Sequence, residues 1–136
     1  MNVVQQKLLK ILSTEIGEFN ELVEIDLEKL QLVLSLAKAH TVAGLLANAV
    51  MEGKVKIEDK DSEKNARKIL LIKLSQLQKQ QDVCLLRFES ALSEIVKLLQ
   101  EESIDFVVFK GLAVASFYPN PSSRTMGDID FYVPQW

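Results

Sequence analysis

Two aspartates one residue apart, Asp128 and Asp130, lie in the apolar run Met126-Gly127-Asp128-Ile129-Asp130-Phe131-Tyr132-Val133. Side chains of a strand alternate between its two faces. A strand here sends Ile129, Phe131 and Val133 toward a core. It places Asp128, Asp130 and Tyr132 on the other face. Two neighbouring carboxylates on one face repel each other and are costly to desolvate. A divalent cation between them removes that cost. Mg²⁺ suits such oxygen ligands, bridges nucleotide phosphates and lowers the pKa of an attacking hydroxyl. The spacing therefore points to two-metal phosphoryl transfer, in which the protein mainly positions and neutralises.

The segment upstream supplies a second part. Ile104 to Phe109 is rich in β-branched and aromatic residues and predicts a strand. Lys110-Gly111 then turns into a short helix, Leu112 to Phe117. Glycine lets a backbone approach a ligand closely. Free N–H groups at a helix start favour phosphate, and Lys110 adds a mobile positive charge. Alone, the dipeptide favours an ordinary strand-to-helix turn; its weight comes from the aspartates downstream. Tyr118 to Arg124 holds two prolines and reads as a loop. Arg124 has two readings of equal standing. It neutralises triphosphate charge, or it pairs with Asp128 to fix the loop. Gly127 gives a tight lead into the strand.

The elements that must hold these residues read as helices. Val3, Val4, Leu8, Leu9, Ile11 and Leu12 have helical spacing, with a stop before Gly17. Glu15, Glu18, Glu21, Glu24 and Glu28 follow in steps of three or four, which puts them on one helical face. A solvated face is favoured over a metal site there. Residues 34–50 are dominated by small side chains that permit close helix packing. Glu52 to Lys64 reads as a loop, with Asp61 or Ser62 capping the next helix. That helix spans about 62–100, with Leu70, Leu74, Leu77, Cys84, Phe88, Ala91, Ile95 and Leu98 as its apolar positions. Gln81 is its polar interruption and Asp82 a candidate break. Packing within the chain is favoured over a dimer seam. Everything before residue 104 reads as α-helical.

Rival chemistry is scarce. His40 is the single histidine, and no partner lies near it in sequence. A structural or capping role is favoured for it, which disfavours histidine-based zinc sites and Ser-His-Asp hydrolysis. Cys84 is the single cysteine and reads as a small core residue. Net charge is −3, so there is no overall basic footprint for nucleic acid. Hydrophobic residues make up 48% of the chain, enough for a core, while mean hydropathy is close to zero. No stretch approaches the roughly 18 apolar residues of a membrane span. The expectation is a cytoplasmic protein with no membrane partner.

Phe109-Lys110-Gly111, Tyr118-Pro119-X-Pro121, Arg124 and Met126-Gly127-Asp128-Ile129-Asp130 together resemble the uncharacterised nucleotidyltransferase family of the DNA polymerase β-like superfamily. Ala39-His40-X-Val42-Ala43-Gly44-Leu45-Leu46 extends the resemblance into the helical part. The resemblance implies an α+β chain: a helical region over 1–100, then the start of a mixed nucleotidyltransferase sheet over 101–136. It implies Mg²⁺-dependent transfer of a nucleoside monophosphate from an NTP to an acceptor hydroxyl. Asp128 and Asp130 are then metal ligands and catalytic carboxylates. Lys110, Gly111 and Arg124 belong to nucleotide and phosphate binding. Many superfamily members have Gly-Ser or Gly-Gly where this chain has Lys110-Gly111-Leu112.

The superfamily takes a third carboxylate from a later strand, which this sequence does not contain. Two strands also make a poor sheet with exposed edges. The expectation is a fragment of a longer protein with weak or no transferase activity alone. The other readings are a partner chain or a second copy completing the sheet, and an activity that has been lost. The acceptor is left open among a sugar, an antibiotic, a protein side chain and an RNA end. Competing with the enzyme reading are a non-catalytic helical interaction or oligomerisation protein and a component of a toxin–antitoxin pair.

Overall fold

The computed structural model describes residues 1–18 and 20–134. The chain is mostly helical with short strands, an α+β protein as expected. It divides into two compact units, Met1–Lys79 and Gln80–Trp136.

In the first unit, α1 (Val3–Glu15) opens with a capping box. Asn2 Oδ1 accepts from the Gln5 N–H at 2.9 Å, and Gln5 Oε1 accepts from the Asn2 N–H at 2.9 Å. β1 (Val23–Asp26) leads into α2 (Leu27–Ala39) and α3 (Ala43–Met51), and β2 (Val55–Glu58) returns parallel to β1. A parallel pair needs such a crossover. The register matches Val23 to Val55 and Ile25 to Ile57. Ile11, Leu30, Val33, Leu46 and Leu74 are essentially closed to solvent and form the centre of the core. Burying each contributes about 1.5–3 kcal/mol.

Helix ends here share one device. α1, α2 and α3 each end in a Schellman motif, with Gly17, Thr41 and Gly53 at the left-handed position. The N–H groups of Glu18, Val42 and Lys54 reach back to the carbonyls of Ser13, Ala37 and Ala49. The stop before Gly17 is thus as predicted. His40 stands at the C-cap of α2, with its side chain exposed.

Several expectations are corrected. The segment before residue 104 is not all helical, since β1 and β2 are strands. The glutamates from Glu15 to Glu28 do not share a helical face. Glu24 lies on β1 and pairs with Lys56 on β2 at 3.0 Å. Glu15 is 2% exposed at the end of α1. Its carboxylate accepts from Asn48 Nδ2 at 2.6 Å and from Lys54 Nζ at 2.8 Å. Asn48 Oδ1 accepts from Gln78 Nε2 at 2.7 Å. These contacts hold the Lys54 ammonium above the usual lysine range, Glu15 contributing most and Glu52 next. The run 34–50 breaks after Ala39. Glu52 to Lys64 contains β2, and Asp61–Glu63 form a 3-10 turn without a side-chain cap.

α4 (Lys64–Glu101) runs unbroken past Asp82. Its first half buries Leu70 and Leu74 in the first unit. Along its second half the half-buried stripe includes Cys84, Leu85, Phe88, Leu92, Ile95 and Leu99. Ala91 and Leu98 are exposed instead, because steps of 3.6 residues drift off the strict alternation of threes and fours. Beyond the end of α4 at Glu101, Ser103 is the fourth left-handed cap, and the Ile104 N–H reaches the Leu99 carbonyl at 2.8 Å.

The second unit adds β3 (Val107–Phe109), α5 (Gly111–Ala115) and β4 (Asp130–Tyr132). β3 and β4 are antiparallel, with Val107 opposite Tyr132, Val108 opposite Phe131 and Phe109 opposite Asp130. Strand, helix and strand thus follow in the expected order, and the described residues form two two-stranded sheets, β1–β2 and β3–β4.

Candidate functional site

The site is assembled at one end of the β3–β4 pair. Phe109 lies opposite Asp130, so the chain leaves β3 at Lys110 just where it enters β4 at Asp130. Lys110 has φ 55° and ψ −142°, a backbone conformation that L-residues rarely adopt. That kink turns the chain at once into α5. The expectation placed the unusual turn at Gly111; the strained residue is Lys110, and Gly111 is the first residue of the helix. Space is tight at Gly111. A Cβ there would lie 3.2 Å from the Asp128 carbonyl oxygen. The turn after β3 and the segment bearing the aspartates thus touch backbone to backbone.

α5 spans Gly111–Ala115, shorter than the predicted Leu112 to Phe117. Five residues build only a small dipole, so an anion held here relies on the Lys110 charge and on close backbone approach. The Lys110 ammonium is exposed and 5.5 Å from the Phe109 ring centroid.

A loop connects α5 to β4. Pro121–Ser123 form a 3-10 turn, and Asn120 Oδ1 accepts from the Ser122 N–H and the Ser122 hydroxyl at 3.3 and 2.9 Å. Ser122 and Ser123 are buried. The Arg124 guanidinium carbon lies 6.0 Å from the Tyr118 ring centroid, at cation–π distance. Arg124 makes no ion pair with Asp128 among the described residues. Of its two predicted roles, the pairing is therefore not formed.

Asp128 is not on the strand. β4 begins at Asp130, and Asp128 is an exposed residue of the irregular lead-in. Asp130 is half-buried. Neither carboxylate makes a side-chain hydrogen bond or ion pair among the described residues, so their oxygens are uncommitted. The predicted core face is also corrected. Ile129 and Val133 are half-buried, but Phe131 is 40% exposed because little of the second unit covers it. Among the described residues no three His, Cys, Asp or Glu side chains gather as a metal cluster.

The structure thus brings Lys110, Gly111, Asp128 and Asp130 to one place, and α5 also packs on the turn that precedes Arg124. Sequence reasoning missed Ser123, a buried serine whose composition and position carry no signal. No helix among the described residues is long and apolar enough to cross a membrane.

A comparison with family models matches residues 26–135 to the uncharacterised nucleotidyltransferase family. Searches of curated proteins and of solved structures returned no match. The matched region covers most of the chain, from the last residue of β1 through α2 and onward, and takes in the whole of the Lys110 to Asp130 site. The chain therefore belongs to the uncharacterised nucleotidyltransferase family.

Proposed function

We propose that Asp128 and Asp130 hold Mg²⁺ and that Lys110, Gly111 and Arg124 hold the phosphates of an NTP. The reaction is transfer of a nucleoside monophosphate to an acceptor hydroxyl. The acceptor hydroxyl oxygen forms a bond to the α-phosphorus and releases its proton to solvent, the bond from the α-phosphorus to the bridging oxygen breaks, and pyrophosphate leaves. The observation that carries this reading is the contact of the Gly111 turn with Asp128, 3.2 Å from a built Cβ to the carbonyl oxygen. It supports a site in which the turn after β3 adjoins two uncommitted carboxylates.

The donor set fits the metal. Mg²⁺ takes hard oxygen ligands and is commonly held by one or two carboxylates together with substrate phosphates. When bound it supplies charge neutralisation and a lowered hydroxyl pKa. Asp128 and Asp130 provide the oxygens, and their mutual repulsion favours a cation between them. The Lys110 ammonium and the Arg124 guanidinium offset triphosphate charge. Titration of a fluorescent ATP analogue with and without Mg²⁺ tests the reading. Saturable binding that needs Mg²⁺ supports it; no binding, or binding indifferent to Mg²⁺, overturns it.

A second reading is favoured by the sheet itself. Val107 and Tyr132, directly opposite each other on β3 and β4, are 60% and 59% exposed. An interaction protein whose ribbon is completed by another copy of the chain would cover them. Mass by light scattering separates the two: a monomer at high concentration contradicts this second reading.

A further inference from the structure

Gln81 is the polar residue in the apolar stripe of α4. Its Nε2 lies 3.5 Å from Thr125 Oγ1, in the segment that joins Arg124 to the aspartates. Its Oε1 is buried and has no hydrogen-bond partner. Two further buried polar atoms without a partner belong to that same segment, Ser123 Oγ and Arg124 Nε. Only one other such atom, Arg67 Nε, occurs among the described residues. Buried polar groups are nearly always paired, because an orphan forfeits its hydrogen bonds to water without replacement. Three orphans around one loop therefore mark an arrangement with unmade bonds.

The three atoms are complementary. A side-chain amide oxygen has two lone pairs, the serine hydroxyl carries one donor hydrogen, and Arg Nε–H is a donor. One acceptor can serve both donors. We propose that Gln81 is a positioning residue for Arg124: its Oε1 accepts from Arg124 Nε–H and from the Ser123 hydroxyl when the guanidinium engages an NTP phosphate. This rests on the nucleotidyltransferase reading of the site.

The chemistry explains why arginine stands there. Drawing Nε–H inward leaves the four Nη–H donors on the opposite edges to grip phosphate oxygens in a fork. The Tyr118 ring already lies 6.0 Å from the guanidinium carbon. Lysine has no internal donor and so cannot be tied to Gln81 and grip phosphate at the same time.

The test is the Arg Nε–H region of the ¹H–¹⁵N spectrum of the full chain, with the Arg124 signal assigned by Arg124→Lys. In the wild type, Mg²⁺-ATP should shift that signal and slow its exchange with water. Gln81→Leu removes the acceptor, and Gln81→Glu keeps one. The leucine variant should lose the slowing and bind ATP about tenfold more weakly, the size of one hydrogen bond to a charged group. The glutamate variant should keep both. Ser123→Ala serves where Gln81→Leu does not fold, since it should strengthen the Gln81–Arg124 pair and slow exchange further. If ATP binds but the Arg124 signal behaves identically whatever residue occupies position 81, the positioning role falls alone. If ATP moves no signal in the wild type, the nucleotide reading of the site falls and the role of Gln81 falls with it.

Discussion

Gly111 faces the backbone of Asp128 so closely that a Cβ would lie 3.2 Å from the Asp128 carbonyl oxygen. The contact links the two halves of the site, the turn after β3 and the segment that enters β4. Gly111→Ala must push that segment aside by a few tenths of an ångström. Stability should fall by about 1 kcal/mol, the low end for overpacking. Mg²⁺-dependent NTP binding should weaken about tenfold, as shifts of positioning groups commonly do. Calorimetric titration and chemical denaturation read the two effects. Unchanged binding would mean that the contact does not position Asp128.

Lys110 occupies a backbone conformation with φ 55° and ψ −142° that glycine adopts far more readily. Lys110→Gly relieves strain that costs about 1–3 kcal/mol, offset by the greater entropy of an unfolded glycine. The variant should be at least as stable as the wild type by urea denaturation, yet bind NTP more weakly for want of the ammonium. A clear loss of stability would show that the Lys110 side chain supports the fold rather than the ligand.

Glu15 is a buried carboxylate whose partners Asn48 and Lys54 are 33 and 39 residues away in sequence. Glu15→Ala removes the buried acceptor of both and leaves them Glu52, 3.1 Å from Asn48 Nδ2 and 2.7 Å from Lys54 Nζ. Breaking a buried charge pair costs about 3–5 kcal/mol, less here because the Lys54 side chain keeps 32% of its exposure. The expected loss is about 2 kcal/mol on that scale. Glu18→Ala, at an exposed position, should stay within about 0.5 kcal/mol of the wild type. Equal effects of the two variants on Tm would contradict the network.

The same network has a pH signature. Lys54 is held above the ordinary lysine value, chiefly by hydrogen bonding to Glu15. A raised pKa means that its contribution is complete below the unfolded value and disappears as pH rises through the folded one. The Tm gap between wild type and Glu15→Ala should therefore be constant near neutrality and narrow above about pH 10.4. Asp26 has the opposite sign. Its carboxyl is held low, first by the Lys29 side chain and then by the Lys29 backbone N–H it caps, so its small contribution is lost on acidification. A gap that narrows between pH 8 and 9 would contradict the assignment to Lys54.

The order of elements around the candidate site was legible in the sequence because it is local: strand, turn, loop and aspartates lie within Val107 to Tyr132. The helix stop at Gly17 and the unbroken length of α4 followed from local rules as well. β1 and β2 were hidden for a physical reason. Glu21, Glu24 and Glu28 have helical spacing, while the alternation of Val23 with Ile25 covers only two positions. Pairing with Val55 and Ile57 across two helices decides the matter, and that is a tertiary fact. Glu15 was misjudged in the same way, since its partners are remote. The orphaned oxygen of Gln81 has no trace in sequence beyond its polarity in an apolar stripe.

Asp128 and Asp130 are the proposed ligands of a cation that an NTP shares. Neither has an internal partner among the described residues, so replacing both by asparagine should leave Tm unchanged or slightly raised by relief of repulsion. Calorimetric titration of the Asp128→Asn/Asp130→Asn protein with ATP in the presence of Mg²⁺ is the direct measurement. The prediction is that Mg²⁺-dependent binding disappears from a folded protein. Binding of undiminished affinity in that variant would show that the two carboxylates are not the ligands.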